Sequence, residues 1–172
     1  AVRRWQQLVE RISATVLPAH GGRLVKSLGD GMLLEFAHVP AAVAAAFAIQ
    51  DACRVDNAEQ LPHRQMLVRI GANAGEFIAD AHDVYGHEVN LAARLTTLAG
   101  PGEIVVSATV RDQRTPLLDA DVEDLGECFL KHVREPVRAY RLGPPGAYPV
   151  IDARSTRMPE LKPTVAVIPF TA

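Results

Sequence analysis

A turn of Gly29, Asp30 and Gly31 separates two short apolar runs, 24–28 and 32–36, and this pattern constrains the fold most. Gly and Asp tolerate the positive φ that tight turns need, so the pattern predicts a β-hairpin. An Asp in a turn often does no more than bond its local backbone, which leaves a functional role for Asp30 open. Lys26 lies on the incoming strand, where a charged group is costly unless it has a partner.

Three further stretches have helical spacing of their apolar residues, namely 2–17, 41–54 and 88–99. Pro18 and the glycines after it are expected to end the first helix, Pro40 to open the second, and Gly100-Pro101-Gly102 to stop the third.

Strands are predicted where apolar and β-branched residues fall between turn signals. Residues 66–74 and 75–79 are expected to form a second hairpin, 103–107 a further strand, and 121–140 two more. Ser107 is a candidate cap for a short helix that begins at Ala108. This order predicts an α+β fold with helices on one side of an antiparallel sheet.

Composition favours a soluble globular protein, because 48% of the 172 residues are hydrophobic and 22% are charged. The net charge of −2 argues against nucleic acid as a partner. No apolar run approaches the roughly 20 residues that span a bilayer, so no membrane segment is predicted. Cys53 and Cys128 lie far apart in sequence, which favours a reducing compartment but leaves a single disulfide between them open. The protein is expected to be cytoplasmic.

The chain divides into a domain at 1–142, a Pro- and Gly-containing linker at 143–163, and a final segment at 164–172. The final segment is β-branched and predicts a strand. It is interpreted either as the start of a following domain or as a strand added to the first domain.

Polar residues recur on one face of the third predicted helix. Asn90, Arg94 and Thr97 follow one another at intervals of four and three residues and therefore share a face. Solvent exposure alone is the ordinary explanation of such a face. Asp83 lies just before this helix, and Lys131 lies in the last predicted hairpin.

Two stretches, 25–31 and 83–95, resemble the signature stretches of class III adenylyl and guanylyl cyclases. The stretches 69–76, 100–107 and 125–142 are similar to the same family and occur in the same order. The resemblance implies a ferredoxin-like cyclase fold, an antiparallel sheet with helices packed on it.

In that family the first strand is central and carries a metal-binding Asp within Asp-x-x-Gly-[Phe/Tyr]-Ser. No such motif precedes the hairpin here, so the first strand is expected to be missing through truncation of a longer sequence. The strand predicted at 164–170 could fill the vacant position, in its own chain or in a neighbouring one.

The resemblance also implies residue roles. Asp30 would bind metal, with two Mg²⁺ or Mn²⁺ ions at each site. Lys26 and Asp83 would read the purine and favour ATP, because guanine presents the opposite hydrogen-bonding pattern at that edge. Asn90 would orient the ribose, and Arg94 would stabilise charge on the α-phosphate.

Lys131 would contact the triphosphate, and the product would be 3′,5′-cyclic AMP. The family builds each site between two copies, so a head-to-tail homodimer is expected, with a second copy of the domain and ATP as partners. The alternative is a non-catalytic cyclase-homology domain that serves dimerisation or nucleotide sensing. A diguanylate cyclase-like domain would need Gly-Gly-[Asp/Glu]-Glu-Phe at the hairpin, which residues 28–32 do not match.

Overall fold

The computed structural model describes residues 2–113 and 120–145, together with the backbone of 164–169. In these residues the helices are α1 (Val2–Arg11), α2 (Leu17–His20), α3 (Val39–Asn57), α4 (His87–Leu95) and α5 (Ala108–Gln113). A π-helical segment, Ile12–Val16, joins α1 to α2, and 3₁₀ turns cover Pro62–Arg64 and Thr96–Leu98. The strands are β1 (Gly22–Leu28), β2 (Gly31–Phe36), β3 (Arg69–Ala72), β4 (Ile78–Ala79), β5 (Val84–Tyr85), β6 (Ile104–Ser107), β7 (Asp121–Cys128), β8 (Val137–Gly143) and β9 (Thr164–Pro169).

The predicted first hairpin is present as β1 and β2. Leu28 pairs with Gly31, so Gly29 and Asp30 form a two-residue turn. Gly29 has a φ of 60°, a left-handed conformation that glycine adopts without steric cost. The Gly-Asp-Gly sequence therefore sets the position of Asp30 at the hairpin tip.

A seven-stranded sheet in the order β1-β2-β9-β3-β6-β8-β7 forms the centre of the fold. Strand β9 lies between β2 and β3 and is parallel to both. β3 is also parallel to β6, whereas the pairs β1–β2, β6–β8 and β7–β8 are antiparallel. The α+β class is as predicted, but the sheet is mixed rather than wholly antiparallel.

The two faces of the sheet are covered by different helices. Residues Met32, Leu34 and Phe36 of β2 belong to the large apolar core that includes α1 and α3. Leu33 faces the other way and packs with α4, because side chains alternate along a strand. The prediction that helices lie on one side of the sheet is thus wrong.

Several predicted boundaries differ from the structure. Pro18 does not end the first helix, because it lies in the first turn of α2, where a proline needs no hydrogen-bond donor. The helix continues to His20, and Gly21 caps it with a φ of 63°. The predicted hairpin of 66–74 with 75–79 does not form, since β4 pairs with β5.

Ser107 accepts a hydrogen bond of 3.4 Å from the Val110 N–H, which confirms its predicted role as the cap of α5. Among the described residues, no helix is long and apolar enough to cross a membrane. Most of the predicted linker, 146–163, lies outside the described residues.

Candidate functional site

Lys26 is directed toward its partner by an irregularity in β1. Leu24 pairs with Leu34 and Lys26 with Leu33, which leaves Val25 as the extra residue of a β-bulge. A bulge changes the direction of nearby side chains. Val25 packs beside Val84, and Lys26 Nζ donates a 2.9 Å hydrogen bond to Oδ2 of the adjacent Asp83. The bulge therefore brings Lys26 to the loop before α4.

That loop is shaped by Asp80. Its Oδ1 accepts hydrogen bonds of 2.7 Å from the backbone N–H groups of both His82 and Asp83. The two-residue strands β4 and β5 close the loop from either side. Asp83 is held in place because its backbone bonds Asp80 and its second carboxylate oxygen accepts from the Val84 N–H at 2.8 Å.

The charges of this loop favour ionised carboxylates. The Lys26 ammonium, with the Val84 N–H, holds the pKa of Asp83 below its usual range. The backbone donors of His82 and Asp83 lower the pKa of Asp80 in the same way. The negative charge of Asp80 raises the pKa of the neighbouring Tyr85 hydroxyl. The pair of Lys26 and Asp83 remains partly open, with 36% and 23% of the two side chains exposed.

The position of α4 is set by close contact with β3. A Cβ added at Gly71 would lie 2.6 Å from both the Ala92 oxygen and the Thr96 nitrogen, so only glycine permits this approach. Farther along the chain, buried Asn73 donates from Nδ2 to the Glu88 carboxylate at 2.6 Å and to its backbone oxygen at 3.1 Å. These contacts hold the first turn of α4 on the end of β3.

The polar face predicted on α4 exists and is open. Asn90 is exposed and Arg94 is half-buried, whereas Val89 and Ala92 are buried against the sheet. The side chains of Asn90 and Arg94 have no hydrogen-bond or ion-pair partner among the described residues. An unpaired guanidinium with five donors on an open face is suited to binding an anionic oxygen.

Asp30 and Lys131 are both exposed and lie on separate turns, Asp30 between β1 and β2 and Lys131 between β7 and β8. Neither side chain bonds another predicted site residue in the described part of the chain. The structure thus brings Lys26 and Asp83 together and puts Asn90 and Arg94 on one face, but within its described residues no bond joins Asp30 or Lys131 to them.

Asp30 is the candidate metal ligand, since hard divalent cations prefer carboxylate oxygens. The described residues contain no cluster of three or more His, Cys, Asp or Glu side chains that could hold an ion. Asp30 would supply one carboxylate ligand to such an ion. The described residues do not form a two-ion centre by themselves.

Sequence reasoning missed the residues that position the site. Asp80, Asn73 and Glu88 have no predicted role at the purine or the phosphates, yet Asp80 holds Asp83, and the bond between Asn73 and Glu88 holds α4 in place. A signal for Asn73 was present, because an amide between Gly71 and Gly75 in a predicted strand needs a buried partner.

Comparison with known proteins supports one family. Residues 14–143 match the model described as "Adenylate and Guanylate cyclase catalytic domain". A relative from Rhizobium meliloti (strain 1021), named "Putative adenylate cyclase 3", is 32% identical over 170 residues, which is 97% of this chain and 28% of the relative. The "Adenylate cyclase" of Streptomyces coelicolor (strain ATCC BAA-471 / A3(2) / M145) is 33% identical over 115 residues, 67% of this chain and 29% of the relative.

A solved structure gives the same result for the fold. The adenylate/guanylate cyclase/hydrolase from Silicibacter pomeroyi superposes with a TM-score of 0.71 at 26% identity, covering 84% of this chain and 86% of that one. The chain spans less than a third of the length of the two curated relatives.

Proposed function

Because the chain belongs to the adenylate and guanylate cyclase catalytic domain family, we propose that it converts ATP to 3′,5′-cyclic AMP and pyrophosphate. The ion pair between Lys26 and Asp83, with its 2.9 Å hydrogen bond beside the open face of α4, carries this proposal. In the reaction the ribose 3′-oxygen attacks the α-phosphorus and loses its proton, while the bond to the β-phosphate oxygen breaks and pyrophosphate leaves.

The Lys26–Asp83 pair supports adenine as the base. Adenine presents an acceptor at N1 and a donor at its exocyclic amine. Lys26 Nζ donates to the first and the Asp83 carboxylate accepts from the second. Each group keeps a counter-charge in the free protein, so neither is left unpaired before the nucleotide binds. Guanine reverses both positions, which would oppose donor to donor and acceptor to acceptor.

Asn90 and Arg94 act on the ribose and the α-phosphate. They lie four residues apart on one face of α4, so both can reach the same ligand. Arg94 stabilises the charge that grows on the α-phosphate oxygens as the 3′-oxygen approaches. Lys131 binds the triphosphate. Asp30 would hold metal, with two Mg²⁺ or Mn²⁺ ions at each site as in the family that the sequence resembles. Such ions would neutralise phosphate charge and lower the pKa of the 3′-hydroxyl.

The site is completed by a second copy of the chain in a head-to-tail homodimer. Exposed apolar side chains flank α4 on both sides and support this arrangement. Ile78 and Tyr85 pair across β4 and β5 just before the helix, and Phe129, 86% exposed, adjoins Leu130, which packs on Leu91 and Leu95. Large exposed apolar groups around a polar centre are typical of an interface.

We place this activity in the cytoplasm, where ATP is available.

The assignment of Lys26 and Asp83 to adenine is tested by exchanging their hydrogen-bond donor and acceptor. Lys26→Glu combined with Asp83→Cys is assayed with ATP and with GTP in the presence of Mn²⁺. The expected result is a change of preference toward GTP, because the new groups accept where Lys26 donates and donate where Asp83 accepts. Thr97→Ala, on the same helix face but without an assigned contact to the base, is the matched control. An unchanged preference for ATP in the double variant would contradict the assignment.

The alternative, a non-catalytic cyclase-homology domain, is favoured by one observation. Asp30 is not joined by further carboxylates into a metal-binding cluster within the described residues. The two functions differ in one assay, in which wild type and Asp30→Ala are incubated with Mn²⁺ and ATP. Cyclic AMP from wild type and not from the variant supports the enzyme, whereas none from either supports the alternative.

A further inference from the structure

The loop that carries Asp83 has little apolar packing to hold its shape. The strands that close it, β4 and β5, are two residues long, and both residues of β4 are exposed. Within the described stretch 78–85, Val84 is the one buried residue, and it packs in a small apolar cluster. The conformation of this loop therefore depends mainly on its hydrogen bonds.

Asp80 makes most of these hydrogen bonds. Its Oδ1 accepts 2.7 Å bonds from the backbone N–H groups of His82 and Asp83, and its own N–H donates to the Asp83 carbonyl oxygen at 3.0 Å. Its carboxylate also accepts from the Tyr85 hydroxyl. Both backbone polar groups of Asp83 are thus bonded to one residue, so Asp80 fixes the backbone of Asp83 from both sides.

Asp80 is connected in turn to the β1–β2 hairpin. Arg23 of β1 is in register with Glu35 of β2 and donates from Nε to its Oε2 at 2.8 Å. Arg23 Nη2 also donates to the Asp80 carbonyl oxygen, at 3.4 Å. Because β1 supplies Lys26 as well, the hairpin meets this loop at two points, Asp80 and Asp83.

The orientation of the Asp83 carboxylate follows from the backbone that Asp80 holds. Oδ1 of Asp83 accepts from the Val84 N–H at 2.8 Å, which leaves Oδ2 to face Lys26 Nζ at 2.9 Å. A carboxylate bonded to the next backbone N–H turns whenever that backbone turns. A misplacement of about 1 Å in such a contact can cost roughly 10²-fold in rate.

We propose that Asp80 is a positioning residue that determines which purine the site accepts, by holding the Asp83 acceptor opposite the exocyclic amine of adenine. This inference rests on the proposed function. A fixed acceptor rejects guanine, because the guanine carbonyl oxygen would face it at that position. On a loose loop Asp83 would turn away from the base, and guanine would meet no fixed carboxylate there.

The test replaces Asp80 in two ways that both remove its charge. Asp80→Asn keeps an oxygen that accepts from the two backbone N–H groups, whereas Asp80→Ala does not. The ratio of kcat/KM for ATP to that for GTP, measured with Mn²⁺, should fall roughly tenfold or more in Asp80→Ala and stay within about threefold of wild type in Asp80→Asn. A purely structural role would lower both substrates alike, so equal ratios in the two variants would overturn the proposal.

A second measurement separates this proposal from the proposed function. If wild type forms no cyclic nucleotide from ATP or GTP, the proposed function fails, and carboxyl NMR titration of Asp83 tests Asp80 without catalysis. The Asp83 midpoint should lie higher in Asp80→Ala than in Asp80→Asn, because a loose loop weakens the contact with Lys26 that lowers the pKa of Asp83. Identical midpoints in the two variants would overturn the role of Asp80.

Discussion

The two faces of the central sheet differ in what their residues do. The face covered by α1 and α3 is one continuous apolar core, in which Leu8, Ile12 and Ile49 are fully buried. The face covered by α4 has two smaller apolar clusters, one around Val89 and one around Leu95. The solvent-facing side of α4 carries Asn90 and Arg94, whose side chains have no hydrogen-bond or ion-pair partner among the described residues. The first face supplies stability, and the second leaves its polar side chains free for a ligand.

The largest expected effect on stability comes from the α3 face. Phe36 is fully buried, and its ring fills the space beside Gly22, where an added Cβ would lie 2.4 Å away. Phe36→Ala should lower the free energy of unfolding by about 3–5 kcal/mol through lost burial and a cavity. Urea denaturation measures this change. A loss below about 1 kcal/mol would show that this face is not the main source of stability.

In contrast to Phe36→Ala, Arg94→Ala should lower activity and leave stability nearly unchanged. Its side chain has no partner to lose among the described residues, so the free energy of unfolding should change by less than about 0.5 kcal/mol. Turnover should fall by roughly 10²–10³-fold with little change in ATP affinity, because the interaction forms mainly in the transition state. Steady-state kinetics and nucleotide titration separate the two quantities. Equal loss of affinity and turnover would assign Arg94 to ground-state binding.

The charge pair at the start of α4 gives a prediction about pH. Because Lys26 lowers the pKa of Asp83 in the folded chain, the pair contributes stability above the carboxyl's unfolded pKa. That contribution is lost as the pH falls through the lower, folded value. Lys26→Met should return the Asp83 titration toward its ordinary range, as followed by carboxyl NMR. An unchanged titration midpoint of Asp83 would show that the Val84 N–H, and not Lys26, lowers its pKa.

A small effect, on stability alone, is expected at His132, next to Lys131. His132 has a φ of 62°, a left-handed conformation that a residue with a Cβ adopts at some cost. His132→Gly should therefore raise the free energy of unfolding by up to about 1 kcal/mol, less the entropy that glycine gains in the unfolded chain. Thermal denaturation shows whether the free energy of unfolding rises or falls. Val133→Gly, at a neighbouring position of this turn, is the control that is expected to be destabilised.

Local patterns predicted the elements on which the site stands. The hairpin with Asp30 at its tip, the helix with Asn90 and Arg94 on one face, and the Ser107 cap all follow from spacing and turn chemistry. The cost of a charge on an apolar strand also indicated that Lys26 needs a partner. The resemblance assigned Lys26 and Asp83 to the same base, but it did not predict the ion pair between them.

The remaining features depend on contacts between distant residues. A bulge shifts the register by one residue without a clear local signal, so the direction of Lys26 was not predictable. The two-residue strands β4 and β5 are too short for periodicity to show their pairing. The parallel pairing of β9 with β2 and β3 joins segments far apart in the chain, which local patterning does not register.

At Gly71, the backbone of β3 comes so close to the backbone at the end of α4 that the strand has no room for a side chain at this position. A layer of side chains between a strand and a helix can absorb a small displacement by changing rotamers. Two backbones in direct contact cannot adjust in this way. If β3 slid by a fraction of an ångström, α4, which bears Arg94, would therefore have to move with it. The glycine makes this junction a stiff connection between the middle of the sheet and the helix that carries the polar face of Asn90 and Arg94.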